Sequence, residues 1–217
     1  MPITLLIGNK NYSSWSLRPW IAMKVAGIPF EETLIPLYEP GSRERVLAVS
    51  PTGKVPALVD GDVHLWESLA ILEYLAERLP GAGLWPREIR PRAHARAIAA
   101  EMHAGFAALR RHCPMNMRRA TKPRELPAEV IADVRRIDAL WNDCRTRFGN
   151  GGPFLFGQFG AADAMYAPVV SRFHTYGVEV GPVARCYMQA VMGLPAWAQW
   201  RAEALDEPWV MPANELD

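Results

Sequence analysis

The chain has 217 residues, half of them hydrophobic and 22% charged, with 24 basic residues against 23 acidic ones. This is a globular balance at a length that suits two domains, and a near-zero net charge excludes the basic excess of a typical nucleic-acid binder. No stretch approaches the roughly 20 apolar residues of a membrane span, and three cysteines without a CxxC point to neither a disulfide framework nor a zinc knuckle.

The short apolar run Ile3 to Ile7 turns polar at Gly8 and reads as a buried strand, not a secretory leader; with so few cysteines the chain fits a reducing, cytoplasmic setting. Trp15 to Ala26 reads as a helix with Leu17, Trp20, Ile21 and Val25 on one face, stopped by Gly27 and Pro29. Phe30 to Leu37 follows as a second strand and Glu44 to Val49 as a short helix. Ala57 to Val59 and Val63 to Trp66 form a hairpin around Asp60-Gly61, a strong turn pair. Ser68 to Leu79 closes this part as a helix, giving the order β-α-β-α-β-β-α and one mixed sheet.

The Pro- and Gly-rich stretch from Pro80 to Pro86 reads as a linker, and beyond it no strand pattern recurs. Helical periodicity runs from Arg92 to Cys113, where Pro114 ends it, then over Pro127 to Arg147, Ala161 to Tyr176, Val183 to Met192 and Pro195 to Leu205. The expected division is an α/β domain over residues 1–80, a linker over 81–90 and an all-α domain over 91–217. Arg118-Arg119 and Arg135-Arg136 carry no aromatic interleaving and read as solvated helix faces.

Three constellations in the first domain hold chemistry. Ser13 and Ser14, in Asn11-Tyr12-Ser13-Ser14-Trp15-Ser16, fall at or just before a helix N-cap, with Pro19 expected near the first turn; capping and catalysis are both open to them. Val55-Pro56, in Ser50-Pro51-Thr52-Gly53-Lys54-Val55-Pro56-Ala57-Leu58, begins a strand after a turn. It is either loop punctuation or a cis bond that presents the Val55 backbone to a ligand. Glu67-Ser68 opens a helix after a strand, where Ser68 is placed to cap or to receive an anion and Glu67 to pair with an ammonium group. His103, His112 and Cys113 lack a partner set at ligand spacing, so no metal site is expected.

Ser13-Ser14-Trp15-Ser16, the Ser50 to Leu58 segment and Glu67-Ser68-Leu69-Ala70-Ile71 together resemble the glutathione transferase superfamily. The first motif is similar to the serine-type, zeta-like pattern Ser-Ser-Cys-Ser of a bacterial-type cytosolic member, with Trp15 standing where that pattern has cysteine. The resemblance implies a thioredoxin-like N-terminal domain followed by an all-helical one, with glutathione as co-substrate and no metal. It implies that Ser13, or Ser14 beside it, stabilises the glutathione thiolate for attack on a small electrophile. Val55, before Pro56, would hold the cysteinyl backbone, Glu67 and Ser68 the γ-glutamyl end, and Lys54 the glycyl carboxylate. The electrophile pocket would lie between the domains, with Trp15, Met102, Phe106, Arg110 and Met115 as candidates. Met102, Phe106 and Leu109 also share the spacing of a core face, and Arg110 suits an anionic substrate or a plain surface position. Gly160-Ala161-Ala162-Asp163 stands where the family has a Ser/Thr-x-x-Asp capping box, which makes Asp163 a folding residue. A homodimer is implied, with neither nucleic acid nor membrane as partner. A glutathione-dependent isomerase and a non-catalytic glutathione-binding module are the alternative readings.

Overall fold

The computed structural model describes residues 2–216. Strand β1 (Thr4–Ile7) leads into helix α1 (Ser14–Val25), strand β2 (Glu31–Leu34), helix α2 (Ser42–Leu47), the hairpin β3 (Ala57–Asp60) and β4 (Val63–Trp66), and helix α3 (Ser68–Arg78). The sheet order is β2-β1-β3-β4, with β1 parallel to β2 and antiparallel to β3, and β3 antiparallel to β4. The α/β order read from the sequence is thus present. Strand β2 is shorter than expected, because Pro36 lacks the N–H that a longer ladder needs.

Helices fill the rest of the chain: α4 (Ile89–Ala104), α5 (Ala107–His112), α6 (Ala128–Phe148), α7 (Ala161–Thr175), α8 (Pro182–Met192) and α9 (Pro195–Asp206). The single helix expected from Arg92 to Cys113 is two. Gly105 is extended and Phe106 takes the left-handed φ of 57° between α4 and α5. A Cβ at Gly105 would stand 2.7 Å from the Glu101 carbonyl oxygen, so glycine alone fits this break. Periodicity continues across it, which is why the pattern hides it. Arg110 Nη1 donates to the Met102 carbonyl at 3.2 Å and satisfies one of the acceptors that α4 leaves at its end.

One hydrophobic core runs through both halves. Leu17, Trp20 and Ile21 of α1 are fully buried in the same cluster as Met165, Val169 and Phe173 of α7. Asp163 sits at the start of α7, where Oδ2 accepts from the Gly160 N–H at 2.9 Å and Oδ1 from the Leu155 N–H at 3.0 Å. Gly160 has no side chain to return a bond, so only the acidic limb of a capping box exists. Burial pushes the Asp163 carboxyl up to about 6, against the pull of those N–H donors.

Candidate functional site

The loop between β1 and α1 is clamped from the C-terminal end of the chain. The Lys10 and Asn11 N–H groups donate to the two oxygens of Glu207 at 2.6 and 3.0 Å, and Trp200 Nε1 donates to the Lys10 carbonyl at 2.9 Å. The Lys10 ammonium, almost wholly buried, pairs with Glu32 at 2.6 Å and with Glu203. The bonds to Trp200, Glu203 and Glu207 tie residues 190 to 197 positions apart and hold the loop from which α1 begins.

Ser13 is the N-cap of α1 and Ser14 its first residue. Pro19 lies in the second turn, not the first as expected, so the Trp15 carbonyl loses its usual helical donor. Ser13 Oγ accepts weakly from the Ser16 N–H at 3.4 Å and donates to Ser16 Oγ at 2.7 Å; Ser16 Oγ in turn accepts from the Gly8 N–H at 3.1 Å. Ser16, part of the serine motif but given no role by the sequence, therefore anchors the Ser13 hydroxyl. The Ser14 hydroxyl has no hydrogen-bond partner among the described residues.

Both serines line a cavity of about 1000 Å³, together with Trp15, Lys54, Val55, Arg110 and Met115. The Val55-Pro56 peptide is cis. A second cavity of about 370 Å³ adjoins on Trp15, Lys54 and Val55 and is closed by Pro56, Trp66, Glu67 and His103. Every candidate from the first domain except Ser68 thus meets along one stretch of wall. Glu67 holds a left-handed φ of 69°, a conformation rare outside glycine and more often kept where a site needs it.

Ser68 faces inward. It is fully buried; its Oγ accepts from Arg18 Nη1 at 3.3 Å and turns its proton to the Met165 sulfur at 3.9 Å. Its side chain lines neither cavity, and only its place at the start of α3 leaves the backbone beside Glu67. Met102 and Phe106 also leave the expected pocket. Both are buried in the core and line neither cavity, because the break at Gly105 turns α5 so that Arg110, and not the apolar ridge, meets the opening. Trp15, Arg110 and Met115 do line the larger cavity.

Two residues of this region were not placed at the site by the sequence, where His103 was weighed only as a metal ligand. His103 Nε2 lies 3.4 Å from Glu67 Oε2 and its ring meets Trp15 edge-on at 5.3 Å. Burial and the nearby Arg18 and Arg110 charges lower the His103 pKa, against the pull of Glu67. Arg172 of α7 reaches the larger cavity from the helical domain. An arginine inside the otherwise hydrophobic α7 is the one hint Arg172 leaves in sequence, and the Glu67 partner of His103 lies 36 positions away.

Burial pushes the Cys113 thiol up to about 11 and the Cys144 thiol up to about 12, so neither is a nucleophile at neutral pH. Among the described residues no group of three His, Cys, Asp or Glu side chains is placed to hold a metal ion, and no helix is long and apolar enough to cross a membrane.

Residues 12–78 match the family model described as "Glutathione S-transferase, N-terminal domain", and residues 92–203 match "Glutathione S-transferase, C-terminal domain". A "Probable maleylacetoacetate isomerase" of Caenorhabditis elegans is 38% identical over 98 residues, which is 45% of this chain and 45% of that protein. A maleylacetoacetate isomerase of Rattus norvegicus is 28% identical over 174 residues, 78% of each. Among solved structures, a glutathione transferase homolog from Burkholderia gl BGR1 with bound glutathione superposes with a TM-score of 0.73 at 24% identity, over 95% of this chain and 100% of that one, and shares the fold.

Proposed function

The chain belongs to the glutathione S-transferase family, and from that membership we propose that it binds glutathione along Lys54, Val55 and Glu67, ionises its thiol beside Ser13 and adds the thiolate to a small electrophile. The observation that carries this reading is the shared wall: the α1 N-terminus with Ser13 and Ser14, the cis Val55-Pro56 turn and the Glu67 corner open on adjoining cavities.

The energetics suffice without metal or general base. A free thiol ionises near pH 8.5, and lowering this by two units takes about 2.7 kcal/mol. A hydroxyl donating to the sulfur anion supplies about 1.5–3 kcal/mol, and the helix N-terminus adds about 0.3–1 kcal/mol. Ser13 is free to donate if the Ser13–Ser16 bond reverses. Ser16 Oγ already accepts from Gly8, so its own proton can turn to Ser13 Oγ, and the Ser13 proton then points to the sulfur. Each hydroxyl in that chain polarises the next. Ser14, with its hydroxyl unengaged, is the neighbouring donor. The step forms one C–S bond after the thiol proton has left to solvent: on an aryl halide the C–halogen bond breaks and halide leaves with its electron pair, and on an activated alkene the C=C π pair moves to the neighbouring carbon, which takes a proton from solvent.

A second reading, a glutathione-dependent isomerase, is favoured by the names of the worm and rat relatives; Trp15 in place of the zeta-like cysteine weighs against it. The test of the proposal is retention on immobilised glutathione together with conjugation of aryl halides and activated alkenes. Retention with no product across the panel would make this a binding module, an isomerised alkene without adduct would make it an isomerase, and no retention would overturn glutathione binding itself. A homodimer belongs to the same proposal and is checked by sedimentation.

A further inference from the structure

Arg118 stands between the serine loop and the segment that follows α9. Its sequence context reads as a solvated helix face, but it lies in the irregular stretch between α5 and α6 and is half-buried. Its Nη1 donates to the Glu207 carbonyl at 2.6 Å, and its Nη2 donates to the Trp209 carbonyl at 2.6 Å and to the Tyr12 hydroxyl at 2.7 Å. Its own N–H donates to Asn11 Oδ1 at 2.8 Å, and its guanidinium stands 5.5 Å from the centre of the Tyr12 ring. Every acceptor of that guanidinium is a neutral oxygen.

Tyr12 adjoins Ser13 in the chain and lines the larger cavity, though only 5% exposed. Its hydroxyl accepts from Arg118 and donates to Glu215 Oε1 at 2.5 Å, while Asn116 Nδ2 donates to Glu215 Oε2 at 2.9 Å. The Tyr12 proton is thereby committed away from the sulfur, which leaves the thiol to Ser13 and Ser14. Between the anchors at Trp209 and Glu215 lie Met211 and Asn214, which line the same cavity. No side chain from residue 208 to 216 is buried, so polar anchors hold this segment, and segments of that kind open at low cost. One guanidinium thus fixes two walls of one cavity: the loop that carries the thiol donor and the segment that carries Met211.

We propose that Arg118 is a positioning residue for the thiol site, holding the Ser13 hydroxyl in register with the glutathione sulfur and the Met211 segment in place around the second substrate. Its planar fork spans three acceptors at once, which the single ammonium of a lysine does not match. A misplacement of about 1 Å at a reacting centre costs about a hundredfold in rate, and a hydrogen bond weakens steeply as its angle bends. This rests on the proposed place of the glutathione sulfur beside Ser13.

The experiment follows the thiolate absorbance of bound glutathione against pH in the whole chain, as wild type and as Arg118→Gln, Arg118→Lys, Tyr12→Phe and Arg135→Gln, the last an exposed residue of α6. Glutathione Kd is read by calorimetry and the KM of a dinitrophenyl halide by steady-state kinetics. In Arg118→Gln the ionisation pH should rise by about one unit, a loss of about tenfold in thiolate at any pH below both values. The halide KM should rise with it, and glutathione Kd should stay unchanged. Arg118→Lys should match Arg118→Gln; a wild-type ionisation pH restored by lysine would show an effect of charge and overturn the positioning role. Tyr12→Phe keeps the two carbonyl bonds and should shift the pH in the same direction by less. Arg135→Gln should shift nothing, and an equal shift there would also overturn the proposal. So would an unmoved ionisation pH in both Arg118 variants beside a lowered thermal midpoint, which is the signature of a merely structural residue. If Arg118→Gln does not fold, Arg118→Lys and Tyr12→Phe carry the comparison. Absence of bound thiolate in the wild type would refute the thiol site and this proposal with it, whereas a shift in Ser13→Ala with none in the Arg118 variants would overturn this proposal alone.

Discussion

Replacing Ser13 by alanine isolates the proposed source of thiolate stability. The hydroxyl is one of two contributors, the other being the α1 N-terminus, which the substitution leaves in place. Loss of about 1.5–3 kcal/mol of hydrogen bonding to the sulfur anion raises its pKa by about 1–2 units. The pH at which bound glutathione ionises, followed by thiolate absorbance, should rise by that amount, and kcat/KM at neutral pH should fall about ten- to a hundredfold. Glutathione affinity should change little, because Val55, Lys54 and Glu67 are untouched. The cap is lost as well: Ser13 Oγ accepts from the Ser16 N–H, so stability drops by about 1 kcal/mol. Ser16→Ala keeps the Ser13 hydroxyl but removes the Gly8-anchored relay behind it, and should shift the thiol pKa in the same direction by less. An unmoved ionisation pH in Ser13→Ala would refute the assignment; a shift in Ser14→Ala alone would transfer the role to Ser14.

His103 sits 3.4 Å from Glu67 with a pKa below its ordinary 6.5, so it is neutral at pH 7 and gains a proton only as pH falls below that value. The charged ring then competes with the γ-glutamyl ammonium for Glu67: glutathione Kd should rise on acidification below pH 6.5, and His103→Gln should flatten that rise in a pH series of calorimetric titrations. Asp163→Ala strands the N–H groups of Leu155 and Gly160, and denaturant titration should show a loss of about 2–5 kcal/mol. The Asp163 carboxyl, held up to about 6 against an ordinary 3.8, favours the folded state most below the ordinary value, and that contribution is lost as pH rises through about 6. The stability advantage of wild type over Asp163→Asn should therefore shrink between pH 3.8 and about 6. Gly105→Ala places a Cβ 2.7 Å from the Glu101 carbonyl and should lower the thermal midpoint by several degrees, about 1–3 kcal/mol of overpacking strain; an unchanged midpoint would show that the α4–α5 break relaxes freely.

By itself the sequence determined what depends on neighbours along the chain. The Asp60-Gly61 turn, the apolar faces of α1 and α3, the helix opening at Ser13 and the acidic start of α7 at Asp163 are all set by residues within a few positions, and each stands where the pattern put it. Tertiary structure alone decided which of those residues face the opening. Met102 and Phe106 share helical spacing in the sequence but are buried in the core, and Gly105 breaks the helix between them, so that Arg110 of α5 and not the apolar ridge meets the opening. Ser68 is turned inward by Arg18, fifty positions earlier, and the serine loop is held by Glu207, nearly two hundred positions later. The juxtaposition of Arg172 with Arg110, and of His103 with Glu67, arises from the packing of one domain on the other, where electrostatic fields act through space and leave no periodic trace in the sequence.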